Sequence, residues 1–566
     1  MLSVLLIWID IFITIIPAGA FFLCISAGKK DRSFIVFEDV LVFGMMAVTV
    51  YSQYFSIFYK VGLVSHAALY VIDIILAFVL CKNGSYKDVF KYHKASKKSR
   101  FVLNLLFLVF LILLMSYGSS RGYMHFDSDL YHAQSIRWIE EYGLVKGLGN
   151  IHGRLAYNSS SFALSALYSF AFLGGRSYHA CAGFLALVLV INCFRILHVI
   201  KDKKVRVSDF ARIGTLYYVL NIYDEMVSPA SDYFAMMIFL YIVVRLLDVS
   251  ETESDECMVA AASVFTVLSV FLVTIKFSAF GPVLICVYPI ASFLKNKKYK
   301  RIVLYTFLSV IVSLPFFIRN YLISGWLLYP STFPDLFNPV WKIPEVFARS
   351  DKAYIVAYGR GFTNMDASAY PFSHWFPHWL SGLGMTEKVF IFGCFASVPV
   401  FVIMLFAVKG KALLKITHGC VVLSFALWLF SSPLTRYGQG IYLCLPFIIF
   451  GSVLTSLVYS ERFSVKAEKC AGICFLSFFA LFLLYKGIGL CTYFSQTYYK
   501  DSYFYQLDYG SYDMYKYSVD GLVFYTPEGM GQSGYDPFPS TPQEDHTFYA
   551  LGDDYSDGFA SKLSER

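Results

Sequence analysis

The chain has 566 residues, of which 57% are hydrophobic and only 15% are charged, whereas a soluble domain carries about a quarter charged residues. Apolar runs of about 20 residues, long enough to cross a bilayer, recur along nearly the whole sequence. This composition excludes a soluble multi-domain protein and indicates an all-α polytopic membrane protein. The net charge of +8 does not indicate nucleic-acid binding, because the basic residues lie in short clusters between apolar runs and do not alternate with aromatic residues.

The basic clusters orient the chain in the membrane, because loops rich in Lys and Arg stay in the cytoplasm. Five such clusters occupy 28–32, 91–100, 201–206, 295–301 and 409–415. Placing all five in the cytoplasm predicts about fourteen transmembrane helices with both termini outside. The predicted spans are 4–27, 36–55, 62–81, 101–118, 178–199, 208–223, 231–248, 257–275, 277–294, 302–318, 387–408, 412–431, 438–458 and 470–488.

The run SSFALSALYSFAFLGG (159–174) is barely long enough to cross the membrane. Counting it as a span would move the basic cluster 201–206 to the outside. We therefore predict an interfacial or re-entrant helix on the outer side, which keeps every basic cluster in the cytoplasm.

Three polar regions remain on the outer face, and structureless loops longer than about 15 residues are usually functional or disordered. The last region is rich in Tyr and Phe, and its segment 520–542 alternates apolar residues between Gly and Pro. This pattern predicts a small extracytoplasmic β or α/β module that packs over the outer loops as a lid or acceptor platform. The predicted organisation is accessory membrane helices in 1–100, a membrane core in 101–490 with outer loops 119–177 and 319–386, and the module in 491–566.

The segment YMHFDSDLYHAQSIRWIEEYG (123–143) directly follows an apolar run. A helix from about 129 to 142 would place Tyr131, Trp138 and Tyr142 on one face, as an aromatic stripe suited to the headgroup layer. The sequence therefore predicts a helix that lies on the membrane surface.

Asp127 and Asp129 would then lie at the bilayer surface. Low dielectric raises the proton affinity of a carboxylate, which suits a general base, and Asp127 is the stronger candidate. The alternative for each aspartate is an N-cap of the helix. His132 is a candidate for substrate binding. No His-x-x-x-His or Cys-rich spacing accompanies it, so no metal or cofactor is predicted, although a divalent metal stays open as an alternative.

Several cations are expected on the same face as Asp127. Arginine pairs with phosphate in bidentate geometry, so carboxylates and cations together suit a phosphate-bearing lipid substrate. The alternative for each cation is snorkelling at a helix end. The candidate substrate-binding residues of this group are Lys276, Arg319, Arg360 and Arg436, together with Tyr437.

Three motifs carry a resemblance to a known family: FDSDLYH (126–132), LYSFAFLGGRSYHACAGFLALVLV (167–190) and IRNYLISGWLLYP (318–330). In this order, they resemble elements of the GT-C superfamily of polyprenyl-phosphate-sugar glycosyltransferases, which includes protein mannosyltransferases and aminoarabinose transferases. The chain departs from the family in the three spans that precede the core and in the segment 152–162, which stands where the family usually has Lys-Pro-Pro.

The resemblance implies a GT-C-like core and a glycosyltransferase in a bacterial plasma (inner) membrane, with its active site on the extracytoplasmic side. The donor would be a polyprenyl-phosphate-linked sugar, and the acceptor a cell-envelope glycan, lipid or protein. Asp127 would be the catalytic base, with Asp129 as the second catalytic candidate. Lys276, Arg319 and Arg436 would hold the phosphate.

Three alternatives remain open. A polysaccharide polymerase or ligase would act on the same class of lipid-linked glycan. A lipid-linked glycan transporter would carry ionisable sites at mid-membrane in matched halves, and the sequence shows no such internal repeat. A non-catalytic membrane scaffold is the third alternative.

Overall fold

The computed structural model describes residues 1–84, 87, 98–408, 410–459, 465–495 and 503–563. Most of these residues are helical, and thirteen described helices are long and apolar enough to cross a membrane. The fold is that of an all-α polytopic membrane protein with a small β module. Its helices are α1 Leu2–Ser26, α2 Phe37–Phe58, α3 Leu63–Lys82, α4 Lys98–Ser120, α5 Ala133–Glu141, α6 Ser160–Leu167, α7 Cys181–Cys193, α8 His198–Asp202, α9 Val207–Asn221, α10 Ser231–Thr252, α11 Asp255–Ile275, α12 Val287–Lys295, α13 Tyr299–Ser324, α14 Glu345–Gly359, α15 Phe372–Gly382, α16 Met385–Ala407, α17 Ala412–Ser431, α18 Thr435–Val458 and α19 Val465–Phe494.

The predicted span 208–223 differs from the other thirteen. It forms α9, which has only 15 residues and is therefore about 22 Å long, shorter than the hydrocarbon core of a bilayer. The predicted helix in 159–174 exists as α6, but all eight of its residues are buried. Because α6 packs inside the protein, the interfacial alternative of that prediction is wrong, whereas the re-entrant alternative stays a prediction.

The three N-terminal helices pack closely on the rest of the bundle. Helices α1 and α2 cross at Gly19 and Gly44, where a Cβ on Gly19 would collide with the carbonyl oxygen of Val40. Small residues allow this close approach of two membrane helices. The indole nitrogen of Trp8 donates to the carbonyl oxygen of Ala180 at 2.9 Å, which joins α1 to the segment before α7.

Buried ion pairs join α2, α9 and α10 at one face of the bundle. Arg245 pairs with Asp39 at 2.9 Å and with Asp248 at 3.1 Å. Arg212 pairs with Asp209 at 3.0 Å and also contacts Asp248 at 2.5 Å. Because α10 begins at Ser231 and ends at Thr252, these pairs lie at the opposite face from the start of α10. We call them the basic-face ion pairs.

The C-terminal tail folds as the predicted strand-and-turn module. Strands β1 Met514–Val519 and β2 Leu522–Pro527 form an antiparallel hairpin. Asp520 and Gly521 turn between them with φ angles of 49° and 87°, and an Asp-Gly pair favours such a turn because both central residues need positive φ. Strand β3 Phe548–Ala550 pairs antiparallel with β4 Phe559–Ser561.

The module packs on the two large loops instead of standing alone. Trp138 of α5, Trp326 after α13 and Phe524, Phe548 and Phe559 of the module are buried in one hydrophobic cluster. Trp138 is therefore covered by the module and does not face lipid, so the prediction of a headgroup-facing stripe on a surface helix is wrong. The sequence pattern identified the apolar face of α5, but the module covers that face. The loops 119–177 and 319–386 thus share one face of the molecule with the tail.

Candidate functional site

Four charged side chains meet at the face that carries the module, which we call the site face. Asp127 lies just before a π-helical turn, Ser128–His132, that leads into α5. Asp232 and Arg436 are the second residues of α10 and α18, and Lys276 follows the last residue of α11. Sequence analysis named three of these four residues and missed Asp232.

Arg436 joins the two carboxylates. Its Nη2 atom lies 2.6 Å from Oδ2 of Asp127, and its Nε atom lies 2.8 Å from Oδ2 of Asp232. Lys276 forms an ion pair with the other oxygen of Asp232, and its Nζ atom lies 3.3 Å from the centre of the Tyr437 ring. We call Asp127, Asp232, Lys276 and Arg436 the charge cluster.

The charge cluster is neutral when all four groups are ionised, because two carboxylates balance two cations. Arg436 lies at the start of a helix, where the macrodipole disfavours a cation, so its position depends on the two carboxylates. The side chains are 9% to 19% exposed. A polar group that approaches from the site face can therefore reach the cluster.

The pKa of Asp127 is lower than that of an ordinary aspartate. Burial alone would raise it, but the charge of Arg436, the two neighbouring histidines in their protonated form and the hydrogen bond from Arg436 outweigh burial. The prediction of a raised proton affinity is therefore wrong, because the sequence did not show the guanidinium against the carboxylate. Asp127 is ionised at neutral pH and can accept a proton only as a weak base.

Two histidines lie beside Asp127. Burial and the charge of Arg436 lower the pKa of His125, and burial lowers the pKa of His132 to about 3. Both rings are thus neutral at pH 7. The His132 side chain is buried, and its Nδ1 atom has no hydrogen-bond partner among the described residues.

A second polar group lies next to the charge cluster. The hydroxyls of Tyr157 and Tyr329 donate to Oδ2 of Asp351 at 2.7 Å and 3.0 Å. The guanidinium of Arg154 lies 5.8 Å from the ring centre of Tyr131 and 6.0 Å from that of Tyr157. Burial lowers the pKa of Arg154, but the neighbouring tyrosines, Asp127 and Asp351 raise it above its usual value.

Arg154 differs from Lys276 and Arg436 in its partners. Within the part of the chain that the structure describes, it forms no ion pair. Sequence analysis missed it because one arginine in a long polar loop has no distinguishing pattern. Asp232 had no distinguishing pattern either, because acidic residues also lie in the first turn of α2, α9, α11 and α16.

Asp129 contacts the C-terminal module. Its carboxylate accepts hydrogen bonds from the backbone N–H of Gly510 at 3.0 Å and from the hydroxyl of Tyr512 at 3.1 Å. The side chain of Gln532 donates to the carbonyl oxygen of Phe126 at 2.8 Å. The module therefore holds the chain on both sides of Asp127. Among the described contacts, neither aspartate caps the helix with its side chain.

Two predicted cations have partners outside the charge cluster. Arg319 is buried and donates to Oδ1 of Asn158 at 3.1 Å and to the hydroxyl of Ser56. Arg360 donates to the carbonyl oxygen of Ser368 at 2.8 Å and lies 4.6 Å from the Trp375 ring centre. In the described residues, Arg319 and Arg436 share no protein partner.

Comparison with known families adds one finding. The model of a family described as Domain of unknown function (DUF8201) matches residues 1–443, which is more than half of the chain. The chain belongs to this family. The DUF8201 region contains the whole charge cluster and Arg154, whereas the C-terminal module lies beyond it. No curated protein matches the sequence.

Proposed function

We propose that this DUF8201 protein is a membrane glycosyltransferase of the GT-C type that moves a sugar from a polyprenyl-phosphate carrier to a cell-envelope acceptor. One observation carries the proposal: an ionised carboxylate, Asp127, lies among cations at the ends of apolar helices. That position suits a substrate whose tail lies in lipid and whose phosphate lies at the surface. The proposed location is a bacterial plasma membrane, with the site face outside.

In the proposed reaction, an acceptor hydroxyl attacks the anomeric carbon of the donor sugar. The new carbon–oxygen bond forms as the bond to the phosphate oxygen breaks, and polyprenyl phosphate leaves with the electron pair. Asp127 takes the hydroxyl proton as the oxocarbenium-like centre develops. A weak base suffices because the hydroxyl becomes more acidic as its oxygen bonds to the anomeric carbon.

The leaving phosphate needs positive charge nearby. Lys276 and Arg436 are adjacent to Asp127, but Asp232 already neutralises part of their charge. We assign Arg154 to the phosphate as well, because its guanidinium is close enough to Asp127 to feel its charge and forms no ion pair within the described residues. Tyr157, held by Asp351, would fix one side of that position.

A second candidate, a lipid-linked glycan transporter, has one observation in its favour. Asp73 lies in the middle of α3, and both of its carboxylate oxygens lack a hydrogen-bond partner among the described residues. Asp10 of α1 accepts a hydrogen bond from Tyr70 and pairs with His66 at 2.9 Å. Ionisable groups inside a membrane often mark transport pathways. A transporter would lose translocation in Asp73→Asn and keep it in Asp127→Asn.

The test of the transferase uses purified protein in nanodiscs and a panel of polyprenyl-phosphate sugars, with release of polyprenyl phosphate as the readout. Asp127→Asn should lower the rate by about 10²–10⁴-fold, the usual contribution of a general base. Asp366→Asn is the matched control, since Asp366 is an exposed carboxylate in the loop 319–386. Equal rates for wild type and Asp127→Asn would reject the assignment of the base.

A further inference from the structure

Two of the basic clusters seen in the sequence contribute to one cavity, although more than 100 residues separate them: the cluster 295–301, and Lys411 from the second cluster. The volume of the cavity is about 880 Å³. Lys295, Lys298, Arg301 and Lys411 contribute to its lining. The proposed transfer reaction uses none of these residues.

The cavity lies at the face opposite to the charge cluster. Helix α11 begins at Asp255, which lines the cavity, and ends next to Lys276, which belongs to the charge cluster. A helix of 21 residues is about 30 Å long, roughly the thickness of the hydrocarbon core. The cavity and the transfer site are therefore separate sites.

Acidic residues also line the cavity. Asp255 and Glu256 line it from the first turn of α11, and Asp31 lines it from the connection between α1 and α2. Among the residues that the structure describes, no lining acid forms an ion pair with a lining cation. We call Lys295, Lys298, Arg301 and Lys411 the basic wall of the cavity, and Asp255 and Glu256 its acidic wall. Asp31 lies beside Arg301, because both side chains come within 3.1 Å of the position that a Cβ on Gly28 would occupy.

Apolar residues also line the cavity, and exposed apolar residues are their neighbours in the chain. Phe293, Val259 and Leu413 contribute to the lining. The neighbouring side chains Leu294 and Val303 are 52% and 68% exposed, as expected for helices that face lipid. A ligand with a charged head and an apolar tail can occupy both surfaces.

We propose that this cavity binds the head group of an aminophospholipid, with the phosphate on the basic wall and the ammonium on the acidic wall. Basic pockets between membrane helices are suited to lipid phosphates. A primary ammonium has three N–H donors for carboxylates, whereas the methylated ammonium of a choline lipid has none. A lipid that carries only a phosphate leaves the acidic wall without a partner.

The test titrates detergent-purified, delipidated full-length protein with dioleoyl lipids and reads apparent Kd values by native mass spectrometry. Phosphatidylethanolamine should bind at least about fivefold more tightly than phosphatidylcholine or phosphatidylglycerol, an effect of about 1 kcal/mol. Tightest binding of phosphatidylglycerol, or no preference, would overturn the proposal. Displacement of the lipid by millimolar inorganic phosphate would assign the site to free phosphate and would also overturn it.

Variants of the two walls make the test specific. The triple variant K295Q/K298Q/K411Q should weaken phosphatidylethanolamine binding by about tenfold. D255N/E256Q should reduce phosphatidylethanolamine to the level of phosphatidylcholine.

The matched control for the basic wall is K201Q/K203Q/K204Q. It removes three charges from the basic cluster 201–206. This cluster lies on the same face as the cavity, because Val207, which directly follows it, donates a backbone hydrogen bond to Glu251 near the end of α10 at 3.0 Å. The control should keep the affinity of wild type. An equal loss in both triple variants would show that net charge, and not the cavity, holds the lipid. Thermal unfolding of each variant checks that it is folded.

Discussion

The contact between Asp127 and Arg436 should contribute measurably to stability, and a double-mutant cycle can isolate it. Arg436 Nη2 and Asp127 Oδ2 are 2.6 Å apart, and the two side chains are 19% and 18% exposed. Removing one partner of a buried ion pair costs about 3–5 kcal/mol when the other charge is left alone. The two single variants should differ because Arg436 has two carboxylate partners and Asp127 has one guanidinium.

Asp127→Asn should therefore be the milder change, about 1 kcal/mol, because Arg436 keeps its contact with Asp232 at 2.8 Å. Arg436→Gln should cost about 3 kcal/mol, since it leaves Asp127 without a cation. The double variant should lose less than the sum, with a coupling energy of about 1–3 kcal/mol.

Unfolding in mixed micelles, followed by tryptophan fluorescence during titration with SDS, measures these free energies. The pair Arg349–Glu345, at 2.5 Å on α14 with side chains 70% and 40% exposed, is the control, and its coupling should stay below about 0.5 kcal/mol. Additivity of Asp127→Asn and Arg436→Gln within about 0.3 kcal/mol would refute the pairing.

Three further predictions follow from the same contacts. The acid limb of the pH–rate profile should lie below the ordinary carboxyl pKa of about 3.9, since Arg436 lowers the pKa of Asp127. Arg436→Gln should move the limb to higher pH because it removes the largest effect that opposes burial; an unmoved limb would exclude Asp127 as the titrating group. Tyr512→Phe removes one donor to Asp129 and should lower kcat by about 3–10-fold without unfolding the membrane helices; unchanged kcat with a detached module, detected by proteolysis, would contradict a positioning role. Arg319→Lys and Arg436→Lys should have additive effects on turnover, because these arginines share no partner among the described residues; a strongly sub-additive double variant would show that they meet on one ligand.

The sequence predicted the membrane helices well because each needs only a local apolar run. It did not predict that α6, a shorter apolar run, is buried on all sides. Hydropathy measures how apolar a segment is and does not show whether lipid or protein covers it. The stripe that contains Trp138 failed for the same reason, because the module that covers it begins more than 350 residues later in the chain.

The site was predicted in part. Asp127, Lys276 and Arg436 are adjacent to helix ends on one face, and that placement follows from topology alone. Their pairing does not follow, because it depends on how α10, α11 and α18 pack together. For that reason the pKa of Asp127 was predicted in the wrong direction.

The position of the donor phosphate tests the central proposal most directly. A cryo-electron microscopy structure of Asp127→Asn in nanodiscs with a polyprenyl-phosphate sugar would show it. We predict that the phosphate lies within hydrogen-bonding distance of Arg154 or Lys276, with the anomeric carbon facing residue 127 and the prenyl chain in lipid. A donor phosphate held elsewhere, such as in the cavity beside Lys298 on the opposite face, would contradict the assignment of the charge cluster as the transfer site.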